Sequence, residues 1–140
     1  MLNKKPRDNN GITIPHDHEG IANDNSLIRG IARAHIVNAR VSSAAFKSSS
    51  DPYKGMSVDL RQISDARNYN TGNYVGAVKL FAAIPREREL LVGYDPLPQN
   101  DAHGQIWRYD GTVKNISGGQ AKFMKRNSKW HVEIKDVALS

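Results

Sequence analysis

The sequence predicts an α+β domain, a mostly antiparallel sheet of about five short strands with one or two short helices. Three observations carry this. Short runs of Val, Ile, Leu and aromatic residues recur between clusters of Gly, Pro, Asn and Asp. Trp130, Val132 and Ile134 alternate with His131, Glu133 and Lys135, the period of a half-buried strand. Helical periodicity is confined to brief stretches. At 140 residues, the chain is long enough for one hydrophobic core.

Taken in order, residues 1–25 are polar and lack a sustained period. They read as a flexible N-terminal tail, with 26–140 as a single globular domain. Ile12 and Ile14 alternate across Thr13 and suit one short docked strand. Ser26 has the chemistry of a helix cap, and Leu27, Ile31 and Ala34 share a helical face. A short helix or turn is expected there, followed by a strand carrying Arg33 and His35. Phe46 is the one large anchor of a Ser- and Ala-rich stretch, and residues 48–52 form a loop. Met56–Leu60 is a short strand, and residues 63–69 suit one or two helical turns. Residues 74–84 read as the central strand, ended by Pro85. Residues 90–94 make another strand, stopped by Asp95 and Pro96. His103–Tyr109 follows as a strand around Ile106 and Trp107, and residues 120–126 form a weak helix behind Gly118 and Gly119.

The net charge is +6, and it is unevenly spread. Residues 1–25 carry −1 and the rest +7; residues 107–140 alone carry +4. A basic body favours acidic partners: RNA or DNA, or an acidic protein. Arg108, Lys122, Lys125, Arg126 and Lys129 are the candidate nucleic-acid contacts, with Trp107 and Trp130 available for stacking if exposed. The most apolar stretch is far shorter than the roughly 20 residues a membrane-crossing helix needs, so no membrane role is expected. There is no cysteine, which removes disulfides, thiolate metal sites and a cysteine nucleophile, and makes a cytoplasmic location the default.

For chemistry, His16, Asp17, His18 and Glu19 form the most metal-like string, but a string in a polar tail lacks a scaffold to converge on an ion. No metal and no cofactor is expected. Arg33 and His35, two apart, would share a face of a strand, where arginine holds phosphate and histidine moves a proton. His103 opens a strand after a turn. His35 and His103 meeting across a sheet, with Arg33 beside them, would make a metal-independent ribonuclease-like centre. Ser57 is a further candidate, although it lies in no Gly-x-Ser-x-Gly elbow.

Arg33-Ala-His35 with residues 43–46, then Met56-Ser57-Val58-Asp59, then residues 95–103 (Asp-Pro-Leu-Pro-Gln-Asn-Asp-Ala-His) form a pattern. It resembles small bacterial or phage proteins of unknown function that carry a Leu-Ser-Val segment and a later Pro-Leu-Pro-x-Asn-x-x-His-Ala segment. Here Met56 replaces the leucine, and Ala102 precedes His103 where the order is otherwise reversed. The resemblance supplies no activity. It implies that Arg33, His35, Phe46, Ser57, Pro96, Asn100 and His103 cluster in space.

Three functions are therefore expected in order. The first is a binding module that contacts nucleic acid or an acidic protein through its basic face. The second is an enzyme, a toxin-like nuclease or a nucleotide- or NAD-directed transferase using Arg33, His35 and His103. The third is a pure interaction protein of accessory or immunity type.

Overall fold

In the computed structural model, residues 2–64 and 67–139 are described. The chain is α+β with sheet dominant. Its elements are β1 (Ser26–Ala32), β2 (Ile36–Val37), β3 (Arg40–Val41), β4 (Met56–Leu60), β5 (Tyr74–Phe81), α1 (Ala83–Arg86), β6 (Leu91–Tyr94), β7 (His103–Tyr109), β8 (Val113–Lys114), α2 (Gly118–Arg126) and β9 (Lys129–Val132). Nine strands thus replace the expected five. The main sheet has seven, in the order β6-β7-β4-β1-β5-β9, with β8 added to β7; β2 and β3 form a separate hairpin. Every paired strand is antiparallel. Among the described residues, no helix is long and apolar enough to cross a membrane.

Side-chain alternation gives the sheet two unlike faces. Leu27, Ile31, Met56, Val58, Leu60, Val78, Leu80 and Ile106 point to one side and make the main core. They pack under α1, under Ala121 and Met124 of α2, and under Ala45 and Phe46 of a short 3-10 turn, Ser43–Phe46. Burial of this surface, about 25 cal/mol per Å², is the main stabilising term. Helix α2 starts on a capping box: Ser117 Oγ accepts from the Gln120 amide, and Gln120 Oε1 accepts from the Ser117 amide. The other face carries Ile28, Ser57, Asp59, Ala77, His103 and Gln105. A small apolar cluster, Ile28 with Tyr69 and Ala77, is buried there, and Trp107 is buried on the same face against His16.

Several sequence expectations change. The Ser26 region is a strand, not a helix, and Arg33–His35 is a 3-10 turn, not a strand. Gly30 explains the first change. A Cβ at Gly30 would lie 2.5 Å from the Tyr74 ring, so the glycine serves strand-to-strand packing rather than weakening a helix. The strand expected over 74–84 ends at Phe81, one place in from the edge strand β9, and Pro85 sits in the first turn of α1, where its missing N–H costs nothing. The helical turns expected over 63–69 include residues 65 and 66, outside the described residues.

Residues 2–25, expected as a flexible tail, lie along the body as a strap. Leu2 and Ile21 join the main core, and His18 is 1% exposed. The strap runs beside β6, the strand at the sheet's edge. Asp17 Oδ1 accepts the Val92 amide at 3.0 Å, and His16 Nε2 accepts the Tyr94 amide at 3.0 Å. The polar residues that made this segment look loose are the acceptors that cover an open strand edge.

Candidate active site

The polar face of the sheet is built by alternation within two strands. Ser57 and Asp59 project from β4 between core residues, and His103 and Gln105 do the same from β7. Asp59 pairs directly with His103, and Ser57 with Gln105. These four side chains therefore meet by register alone.

His103 is the centre of the arrangement, and it is 7% exposed. Its Nδ1 donates to the Asp95 carbonyl at 2.8 Å and lies 3.3 Å from an Asp95 carboxylate oxygen. That fixes the neutral ring with its proton on Nδ1, so Nε2 is an acceptor. Nε2 faces Ser57 Oγ at 3.1 Å. The chain Ser57–His103–Asp95 thus has the order of a hydroxyl, a base and an orienting acid. Burial by itself raises the Asp95 carboxyl. Hydrogen bonds from His103, Thr13 and Gln105 outweigh it and bring the pKa down to about 2. Asp95 therefore stays ionised beside the ring. Thr13, on the strap, donates to its Oδ1 at 2.7 Å.

A cleft of about 550 Å³ opens over this centre, with Ser57, Arg67, Tyr74, Asn100 and His103 in its wall. Asp59 lies beneath, 4% exposed, and takes three donors: Asn100 Nδ2 at 2.7 Å, Arg67 Nη1 at 3.2 Å and the Tyr69 hydroxyl. A carboxylate so held anchors Arg67 and Asn100 at the wall. Burial, and then the hydrogen bond to Asp59, push the Tyr69 hydroxyl well above its ordinary pKa, so it remains protonated. Arg67 also stands 5.0 Å from the Tyr74 ring centroid.

A second cleft, about 540 Å³, adjoins the first and shares Arg67 and Tyr74 with it. His35 and Arg29 lie in its wall. The Ala32 amide donates to His35 Nδ1 at 3.3 Å, so the neutral His35 ring carries its proton on Nε2. Burial first, and the Arg29 charge second, lower the His35 pKa. Arg29 is held by the Ala45 carbonyl at 2.9 Å and the Ser57 carbonyl at 2.8 Å, which ties the two clefts through the backbone of β4.

Of the sequence candidates, Ser57 and His103 meet in the first cleft with Asn100, and His35 lines the adjoining one. Arg33 is exposed on its turn and lines neither; a 3-10 turn does not align residues two apart as a strand would. Phe46 lies in the core on the other face. The guanidinium expected of Arg33 is supplied by Arg67 and Arg29. Arg67, Arg29, Asp59, Asp95 and Tyr69 were all missed. The signal for two of them was present: polar Ser57 and Asp59 alternate with apolar Met56, Val58 and Leu60, which marks a polar sheet face.

The five basic candidates are divided. Lys122, Lys125 and Arg126 ride on α2, above the apolar face. Arg108 donates to the Asn115 carbonyl at 3.2 Å beside β8. Lys129 pairs with Lys79 at the far edge of the sheet. Trp107 is 2% exposed and Trp130 packs on the core, so neither offers a stacking face.

The metal-like string is otherwise engaged. His16 Nδ1 donates to the Ile14 carbonyl at 2.9 Å, and His18 bonds the Asn3 carbonyl and the Gly20 amide. Among the described residues, no three His, Asp or Glu side chains converge as a metal-ligand set. Compared with family models, curated proteins and solved structures, the chain matches none.

Proposed function

We propose that this protein cleaves RNA phosphodiester bonds by acid–base chemistry. The observation that carries the reading is the complementary pair of imidazoles in adjoining clefts. His103 offers a proton-accepting Nε2, and His35 an Nε2–H that becomes a proton donor when the ring is protonated, with Arg67 common to both walls. A ribose 2′-hydroxyl entering the first cleft gives its proton to His103, through the Ser57 hydroxyl. The freed 2′-oxygen attacks phosphorus, Arg67 takes up the growing charge on the phosphate oxygens, and His35, as the imidazolium, gives a proton to the departing 5′-oxygen and is left neutral. The products are a 2′,3′-cyclic phosphate and a 5′-hydroxyl. The basic body supports a polyanionic substrate.

The test is cleavage of an end-labelled single-stranded RNA with the cyclic phosphate as product. His103→Asn keeps a donor toward the Asp95 carbonyl but removes the Nε2 acceptor. Cleavage that survives this change, or a wild-type protein that cuts no RNA, sinks the reading.

One observation favours a second reading. The 3.1 Å contact from Ser57 to His103 also suits a serine nucleophile that forms a covalent ester. Ser57→Ala separates the two. A relay loses part of its rate, whereas a nucleophile loses all of it, together with a mass adduct on Ser57.

A further inference from the structure

On the polar face, away from both clefts, a second constellation stands at the end of the sheet. Phe81 is 54% exposed, one of two large hydrophobic side chains left open among the described residues. It ends β5, directly opposite Ser26 of β1. Lys79 and Lys129 form a cross-strand pair one row back, and Arg61 follows β4 on the other flank. Together they frame a hollow of about 310 Å³ with Phe81 in its wall. Two lysines directly opposite each other repel. Among the described residues neither forms an ion pair with a carboxylate.

The register ties this hollow to the active-site face. His103, Asp59, Ile28, Lys79 and Lys129 are successive cross-strand partners over β7, β4, β1, β5 and β9. They make one row across the sheet. Phe81 lies two residues beyond that row and Ser57 two residues before it. Strand geometry puts Phe81 about 17 Å from Ser57, a span of a few nucleotides. Arg67 stands at the cleft, so a polyanion reaching from one place to the other meets lysines at one end and a guanidinium at the other.

We infer that Phe81, flanked by Lys79 and Lys129, is a subsite for single-stranded RNA that lies outside the cleavage cleft: one base stacks on Phe81 while the neighbouring phosphates meet the two lysines. An open aromatic ring among cations suits this ligand because every base has a face to stack and every linkage a charge to neutralise. The inference deepens the reading of the clefts and rests on it for the choice of RNA. It gives that reading a length dependence: long strands occupy both places, and a dinucleotide only the cleft.

The experiment uses the full chain carrying His103→Asn, so that RNA is bound and not consumed. A fluorescent single strand of roughly 12 nucleotides, within the usual site size for such surfaces, is titrated by anisotropy. Phe81→Ala should weaken binding about tenfold, and Phe81→Trp should restore it. Lys79→Gln with Lys129→Gln should weaken binding and lower the salt slope by about 1–2. With His103 intact, Phe81→Ala should leave dinucleotide cleavage unchanged and slow cleavage of the long strand at low concentration. Affinity unchanged in both the Phe81 and the lysine variants overturns the inference, whatever the catalytic result. Binding that depends on Phe81 in a protein that cleaves nothing upholds the subsite and removes the cleavage reading instead.

Discussion

Four of the histidines fall into two pairs, and the pairs differ in what their ring nitrogens do. In the strap, His16 and His18 spend both nitrogens on the backbone: Ile14 and Tyr94 for one, Asn3 and Gly20 for the other. In the clefts, His35 and His103 each spend only Nδ1 on the backbone, and the Nε2 of His103 meets the Ser57 hydroxyl instead. The residue type is the same and so is the degree of enclosure for His18 and His103. The difference teaches that a histidine's function is set by hydrogen-bond accounting. A ring with both nitrogens bonded to the backbone is a structural strut. A ring with one fixed by the backbone has a defined tautomer and a known role for the other.

The sharpest way to break this comparison is His103→Asn. Cleavage should fall by roughly 100-fold or more, the usual worth of a positioned proton carrier, in a protein that still unfolds cooperatively. Quantified RNA cleavage alongside a melting curve checks it. Next is His18→Ala, which leaves the Gly20 amide and the Asn3 carbonyl without their partner. Stability should drop by about 2 kcal/mol while cleavage, measured well below the melting temperature, is retained. A rate loss without a stability loss would put His18 in the wrong pair. His35→Gln should slow cleavage by roughly tenfold and flatten the alkaline limb of the pH–rate profile, since it removes the group that must be protonated to act.

The smallest effect tests the strap itself. Burial foremost lowers the His16 pKa below the ordinary 6.5. The neutral form is the one that accepts the Tyr94 amide. The unfolded chain therefore binds the proton more readily than the folded one. The contribution of His16 to stability is complete above about pH 6.5 and is lost as pH falls through its depressed folded value. Hydrogen exchange at Tyr94 should accelerate over that window, and His16→Gln should flatten the dependence.

Much of this was legible in the sequence and some was not, for reasons that differ by region. His103–Tyr109 was readable because alternation and a preceding turn agree, and Met56–Leu60 for the same reason. Ser26–Ala32 was not, because Ser26, Leu27, Ile31 and Ala34 fit a helix as well as a strand, and the evidence that decides it, the Tyr74 ring over Gly30, is more than 40 residues away. Ser57 and His103 were found as candidates. Asp95 was read only as the residue that stops a strand, since its carboxylate gains a role only when β7 brings His103 beside it. Arg67 replaced Arg33 because a cation's address depends on the loop that carries it. Residues 2–25 misled because polar composition is shared by chains that stay solvated and by chains that bond to a strand edge.

The hydrogen bond from Thr13 to Asp95 spans 82 positions of sequence, and those joining Asp17 to Val92 and His16 to Tyr94 span 75 and 78. Such separations carry a large loop-closure cost and belong to slow folding. During synthesis the strap is made before β6 and β7, and it has nowhere to dock until they exist. Sequence order and assembly order are thus reversed for these residues. The carboxylate that aligns His103 acquires its full set of donors only when the strap joins β6 and β7, so the geometry of the candidate site is tied to completion of the fold and not to any part of it.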